Sequence, residues 1–101
     1  MDENSLLNIL YTNRANSDAI TIKNYLLYKF TQREVDNFYD LLRIFENIAS
    51  AFPLLYPKSI NSKNIHRAVL SKQLSVFYKV SKSAIIVIAI LDNRMNKAKW
   101  P

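Results

Sequence analysis

The chain has 101 residues, of which 50% are hydrophobic and 12% aromatic, so one domain with its own core is expected over residues 1–101. It contains no cysteine and a single histidine, His66, which excludes disulfides, thiolate zinc sites, cysteine nucleophiles and His-based metal clusters. Glycine is also absent, which excludes Gly-rich phosphate loops. We therefore expect neither a metal nor a small-molecule cofactor.

Charge is divided unevenly along the sequence. Residues 1–52 contain five Lys/Arg and seven Asp/Glu, and residues 53–101 contain nine Lys/Arg and only one acid, so the halves carry −2 and +8. Such asymmetry indicates a polyanionic partner, either nucleic acid or an acidic protein segment. A solvated basic face is the alternative.

Neither the N-terminus nor the longest apolar run of the sequence suggests a membrane protein. The chain begins Met1-Asp2-Glu3, acidic where a secretory signal needs basic residues. The longest apolar run, Ala84 to Leu91, has eight residues, whereas a membrane helix needs about 20. We expect a cytoplasmic protein without a membrane partner.

The first half predicts one strand and two helices. Leu6 to Tyr11 is a short apolar run, and Thr12 and Asn13 after it are suitable helix caps. A helix is predicted next, because apolar residues recur at steps of three and four: Ala15, Ala19, Ile22, Leu26 and Phe30.

A second helix is predicted to begin after Thr31. Thr31 and Glu34 have the spacing of a capping box, in which each side chain bonds a free backbone amide of the other residue. An apolar stripe follows until Pro53 prevents further helix. The short connection at Phe30-Thr31 predicts that the two helices form an antiparallel hairpin.

The second half predicts a loop and three strands. Residues 53–64 contain Pro, Ser and Asn and read as an ordered loop. Ile65–Lys72, Leu74–Ser81 and Ala84–Leu91 then predict an antiparallel meander, with the last strand central because its apolar run does not alternate. The predicted fold is α+β, in the order β-α-α-β-β-β, with an antiparallel sheet packed against an N-terminal helix hairpin.

Several segments carry a family resemblance across nearly the whole chain. These are Tyr25-Leu26-Leu27, Leu55-Tyr56-Pro57, Asn64 to Leu70, Val76 to Val80, and Ile88 to Arg94. Together they resemble RelE/ParE-family toxins of bacterial type II toxin–antitoxin modules, a family that includes plasmid stabilisation proteins. The matching positions are mostly apolar core residues.

The resemblance implies a growth-inhibiting toxin that a cognate antitoxin protein neutralises. RelE-like members resemble ribosome-dependent endoribonucleases that cut mRNA through the 2′-hydroxyl of the RNA. ParE-like members resemble non-enzymatic poisons of DNA gyrase. A decayed toxin that only binds its antitoxin is a third alternative, and the sequence does not decide among the three.

For RNA cleavage, Arg94 and His66 are the predicted catalytic residues. Arg94 follows the last strand and matches the family's C-terminal arginine, which could hold a phosphate in a bidentate fork. Its alternative is an ion pair with Asp92 or with the antitoxin. His66 is the chain's one histidine, a residue type whose unperturbed pKa lies near neutrality and so suits proton transfer, and a structural role is its alternative.

Arg67, Lys72 and Trp100 are the predicted residues for binding RNA phosphate or another target. Arg67 is expected on the sheet face opposite His66, and Trp100 either stacks on a base or covers the sheet edge. Two departures weaken the nuclease hypothesis: Ser75 stands where RelE-like enzymes tend to have an arginine, and no Tyr or His follows Leu91.

Overall fold

The computed structural model describes residues 6–62 and 64–95. Its element order confirms the prediction from the sequence, β-α-α-β-β-β. The elements are β1 (Asn8–Tyr11), α1 (Asn13–Lys29), α2 (Gln32–Ala51), β2 (His66–Val69), β3 (Leu74–Val80) and β4 (Ala84–Asp92).

The two helices begin and end where the sequence provides local reasons. The Thr12 hydroxyl accepts a hydrogen bond of 3.1 Å from the amide of Ala15 and so caps α1. Only Phe30 and Thr31 separate α1 from α2, and α2 ends at Ala51, shortly before Pro53. The predicted helix hairpin is therefore present.

The predicted capping box at the start of α2 is wrong in its side-chain bonds. Thr31 occupies the N-cap position, but its side chain makes no capping hydrogen bond. Its backbone carbonyl accepts the amide of Glu34 at 3.0 Å instead. The Glu34 carboxylate instead lies 3.5 Å from Arg94, a partner that only the folded chain brings near.

The four strands form one sheet in the order β1-β4-β3-β2. The predicted antiparallel meander is confirmed, with β2 against β3 and β3 against β4. β1 pairs with β4 in parallel, from Asn8 opposite Ala84 to Tyr11 opposite Val87, so the sheet is mixed rather than wholly antiparallel. The sequence of β1 carries no information on its partner, and the helix hairpin supplies the crossover that a parallel pair needs.

β4 contains a bulge that changes which residues face the helices. Phe77 lies opposite Ala89 while Tyr78 lies opposite Val87, so Ile88 is an extra residue in the ladder. Before the bulge Val87 packs in the helix-side core, and after it Ala89 packs in a separate cluster away from the helices. Because of this shift, Asp92 is turned toward the helices.

The main core lies between the helix hairpin and one face of the sheet, here called the inner face. Its largest fully buried side chains include Tyr78, Phe45, Leu26 and Ile85. The opposite, outer face carries a smaller cluster formed by Phe77, Ala89 and Leu91, with Ile65 and Ile88 packed against it. Neither helix in the described part of the chain has the length and apolar content needed to cross a membrane.

Candidate functional site

Arg94 lies just beyond β4 and is held by the last acid of the chain. Its Nε is 2.8 Å from Oδ1 of Asp92, and its Nη2 is 2.6 Å from Oδ2. The Asp92 side chain is 1% exposed and the Arg94 side chain 26% exposed. The pair is therefore a bidentate and largely buried ion pair, the strongest geometry for these two groups.

The helix hairpin contributes further contacts to Arg94. Nη1 lies 3.5 Å from Oε1 of Glu34, and the guanidinium carbon lies 5.0 Å from the centre of the Phe30 ring. The hydroxyl of Tyr25 donates to the backbone carbonyl of Arg94 at 3.2 Å. The hydrogen bonds that Arg94 donates to Asp92 raise the pKa of Arg94. The negative charge of Asp92 and the contact with Glu34 also raise the pKa of Arg94, against the effect of burial.

This network has a direct consequence for phosphate binding by Arg94. Asp92 occupies the fork of Nε and Nη2, the pair of donors that a phosphate would use for bidentate binding. Nη1 faces Glu34. A phosphate that binds at this fork would therefore have to displace the Asp92 carboxylate, and the geometry matches the ion pair with Asp92 that the sequence offered as an alternative.

His66 lies on the inner face, within the aromatic core. Its ring stacks on Tyr78 with 5.0 Å between centroids and an angle of 16°. Its Nδ1 is 2.8 Å from the carbonyl oxygen of Tyr56, a contact that places the proton on Nδ1. The residue is 7% exposed. These contacts fix the ring in the core, as expected for a structural histidine.

Tyr78 anchors the same cluster and the loop after α2. Its hydroxyl donates to the carbonyl of Pro53 at 2.8 Å, and its ring contacts Phe45 at 5.5 Å. Burial raises the pKa of Tyr78 to about 12; the charge of the neighbouring Tyr56 adds to the rise, and a backbone hydrogen bond at Tyr56 opposes it. The phenol therefore stays protonated at neutral pH and acts as a hydrogen-bond donor.

Arg67 lies on the outer face, opposite His66 in direction as the alternation predicts. Its Nε and Nη2 donate to the hydroxyl of Ser75 at 3.3 and 3.2 Å. Its guanidinium lies 5.9 Å from the centre of the Phe77 ring. Arg67 thus brings a cation from β2 to the position on β3 that Ser75 occupies, which the sequence alone left without one.

The remaining predicted residues lie elsewhere. Lys72 is in the turn between β2 and β3, where its carbonyl accepts a hydrogen bond of 2.8 Å from the side chain of Asn93. Lys72 is therefore at the same end of the sheet as Arg94. Trp100 lies outside the described residues.

The two predicted catalytic residues are not brought together. His66 lies opposite Tyr78, whereas Asp92, just before Arg94, lies opposite Leu74. Four residue positions on β3 separate these points, about 13 Å along the strand at about 3.3 Å per residue. With Arg94 bound to Asp92 and His66 buried, the two side chains do not converge on one point in this arrangement.

A further polar group was missed by sequence reasoning. The hydroxyl of Tyr11 donates to Oε2 of Glu46 at 2.5 Å, in a groove of about 450 Å³ between α1 and α2 that Ala19 and Tyr39 also line. Burial raises the pKa of Tyr11, and Glu46 reinforces it by accepting the hydrogen bond and by its charge. Only the packing of α2 against β1 brings these residues together, so no local pattern could reveal them.

In the described part of the chain, no three His, Cys, Asp or Glu side chains cluster as metal ligands would.

Comparison with solved structures finds proteins of similar fold. A chain of the chromosomal ParDE toxin–antitoxin system from P. aeruginosa superposes with a TM-score of 0.71 at 12% identity, covering 87% of this chain and 97% of that one. The E. coli DinJ-YafQ toxin–antitoxin complex contains a chain with a TM-score of 0.61 at 12% identity, covering 88% and 94%. HP0894, a conserved hypothetical protein from Helicobacter pylori, gives a TM-score of 0.57 at 16% identity, covering 88% and 97%.

No family model matches the sequence, and no curated protein is significantly similar to it. The similarity to known proteins therefore lies in the backbone fold.

Proposed function

We propose that this chain, whose fold is that of the RelE/ParE-type toxins, is the growth-inhibiting toxin of a toxin–antitoxin pair. It would act in the bacterial cytoplasm as one domain over residues 1–101, and a cognate antitoxin would neutralise it. The observation that carries the proposal is the extent of the fold match. It covers 87% of this chain and 97% of its counterpart in a ParDE toxin–antitoxin system, with a TM-score of 0.71.

Induced expression in a bacterium that lacks the antitoxin tests the proposal. We expect growth arrest, and co-expression of the protein encoded next to this gene should restore growth. Normal growth at a high level of folded protein would overturn the toxin proposal. Binding of that neighbouring protein without any arrest would identify a decayed toxin.

For the mechanism, we propose that the toxin acts by binding its target, with DNA gyrase as the target. The contacts of the two predicted catalytic residues support this choice. Arg94 is bound to Asp92 in a bidentate pair, and His66 is stacked on Tyr78 with Nδ1 bound to a carbonyl. Both side chains therefore have structural partners that would oppose a role in cutting RNA.

A supercoiling assay with purified gyrase tests the binding mechanism. The folded protein should lower the rate at which gyrase supercoils relaxed plasmid, and Arg94→Lys and His66→Gln variants that remain folded should inhibit equally. Unchanged supercoiling at concentrations well above that of gyrase would exclude gyrase as the target.

Cleavage of ribosome-bound mRNA remains a second candidate, supported by one observation. The guanidinium of Arg67 lies at the Ser75 hydroxyl, so a cation is present on the outer face despite the serine. In this version Arg67, Lys72 and Trp100 would bind RNA, with Arg94 and His66 as the predicted catalytic residues.

Primer extension on a translated message separates this candidate from gyrase binding. New 5′ ends should appear on induction, and Arg67→Ala should remove them, whereas Lys82→Ala in the exposed β3–β4 turn removes the same charge elsewhere and should not. Absence of new ends during growth arrest would exclude the nuclease version.

A further inference from the structure

The loop between α2 and β2 folds back along the free edge of β2. The carbonyl of Pro57 accepts the amide of Arg67 at 2.8 Å, and the amide of Ser59 donates to the carbonyl of Ile65 at 2.6 Å. Lys58 forms an isolated antiparallel bridge with His66. These backbone bonds fix the loop in a defined position beside the sheet.

A cavity of about 280 Å³ lies between this loop and the outer face of the sheet; we call it the loop cavity. Its apolar lining comes from Pro57 and Ile60 of the loop and from Val69 and Phe77 of the sheet. Ile60 is 98% exposed and Val69 59% exposed. The volume is below the 300–1,000 Å³ of pockets for drug-sized ligands and suits a single inserted side chain.

The charged side chains that line the loop cavity are both positive. They belong to Lys58 and Arg67. Among the described residues after Phe52, the only carboxylate is that of Asp92, which is 1% exposed and bound to Arg94. An electrostatically complementary partner for this surface is therefore acidic.

The chemistry of the lining favours a polypeptide over a nucleic acid. Single-stranded nucleic acids bind to aromatic side chains on which their bases stack. The exposed groups here, Ile60 and Val69, are aliphatic and have no face for stacking, whereas they can pack against an apolar side chain at a protein interface.

We propose that the loop cavity receives an apolar side chain from an acidic segment of the antitoxin, whose carboxylates then lie near Lys58 and Arg67. The inference deepens the proposed function and rests on it, because it assigns a docking position to the antitoxin. The docking surface consists of Lys58, Ile60, Arg67 and Val69.

Matched pairs of variants test this position, with the protein encoded beside this gene as the probe. Ile60→Ser removes an exposed aliphatic group at the cavity, and Ile44→Ser removes one of 52% exposure on α2. Lys58→Glu reverses a charge at the cavity, and Lys82→Glu reverses one in the β3–β4 turn. Thermal unfolding of each variant verifies that it is folded.

Titration calorimetry should show at least a tenfold increase in Kd for Ile60→Ser and about a fivefold to tenfold increase for Lys58→Glu. The controls should change Kd less than twofold. Equal effects in the cavity and control variants, or no binding of the probe to the unchanged chain, would overturn the proposal. The proposal would also be overturned if the cavity variants lost affinity for single-stranded RNA but kept their affinity for the probe.

The growth assay keeps the two proposals distinguishable. If the unchanged chain arrests growth while the cavity variants remain neutralised by the probe as efficiently as the controls, the docking position is wrong and the toxin function stands. If the unchanged chain never arrests growth, the toxin function itself fails, whatever the calorimetry shows.

Discussion

The guanidinium of Arg94 forms two hydrogen bonds to the carboxylate of Asp92, two residues earlier in the chain, at 2.6 and 2.8 Å. The amide of Arg94 also donates to Oδ1 of Asp92 at 2.9 Å. One buried carboxylate thus fixes both the backbone turn after β4 and the direction of the arginine side chain. The best candidate for a phosphate ligand is thereby part of the fold.

Replacing Asp92 by Asn should destabilise the protein strongly. The change keeps the volume but removes the charge that pairs with Arg94, and breaking a buried ion pair in this way costs about 3–5 kcal/mol, reduced here toward about 2 kcal/mol because Arg94 is partly exposed. Urea unfolding measures the change. Asp40→Asn breaks the exposed pair of Asp40 with Arg43 and should cost less than about 1 kcal/mol. Equal costs for the two variants would contradict the structural role of Asp92.

Removing the His66 ring should affect stability rather than activity. His66→Ala loses the stacking on Tyr78 and leaves the Tyr56 carbonyl without its Nδ1 partner, so we expect a loss of about 2 kcal/mol. Urea unfolding gives the loss, and growth arrest is measured at a temperature where the variant is folded. A variant of unchanged stability that no longer arrests growth would instead indicate proton transfer by His66.

Alkaline pH should destabilise the protein through Tyr78. Its pKa is raised by burial from 10.0 to about 12, so between these values the unfolded chain loses a proton that the folded chain retains. The stability contribution is complete below pH 10 and declines above it, by up to about 1.4 kcal/mol per pH unit for one group. Tyr11, whose pKa is also raised, adds to the slope.

Unfolding free energies at pH 9 and pH 11 test this dependence. Tyr78→Phe should reduce the difference between the two values, whereas Tyr28→Phe, at a position that is 84% exposed, should leave it unchanged. An identical pH dependence in the unchanged chain and in Tyr78→Phe would show that Tyr78 is not its source.

Deleting Ile88 should prevent the native fold from forming. Without the extra residue, the side chains after it would exchange faces, and Asp92 would turn away from the helices. Circular dichroism and an NMR spectrum with dispersed amide signals report on folding. Ile88→Val keeps the bulge and should cost about 1 kcal/mol at most. A deletion variant with native spectra would disprove the role of the bulge.

Local sequence patterns were sufficient for the secondary structure and for most of its order. The steps of three and four residues in α1 and α2, Thr12 as a cap and Pro53 as a stop all act within a few residues, so they can be recognised without the fold. The alternation along β2 likewise placed Arg67 on the face opposite His66. These features depend on backbone geometry that is the same in every protein.

Sequence alone could not assign the partners of the site residues. Glu34 has the spacing of a capping residue, yet its carboxylate faces Arg94, 60 positions later in the chain. The bulge at Ile88 and the parallel pairing of β1 with β4 are likewise settled by elements far apart in sequence. Such contacts form only when the helix hairpin packs on the sheet, because an isolated charge or strand edge has many possible partners.

The sequence by itself therefore determined the elements, their order and the strongly basic character of the second half. The tertiary structure decided which groups those cations contact. Arg94 is bound to a buried carboxylate and Arg67 to the Ser75 hydroxyl, while Lys58 and Arg67 line the loop cavity. The physical reason is that net charge is a property of composition, whereas the interaction of a charge depends on distance and burial, which only the folded chain defines.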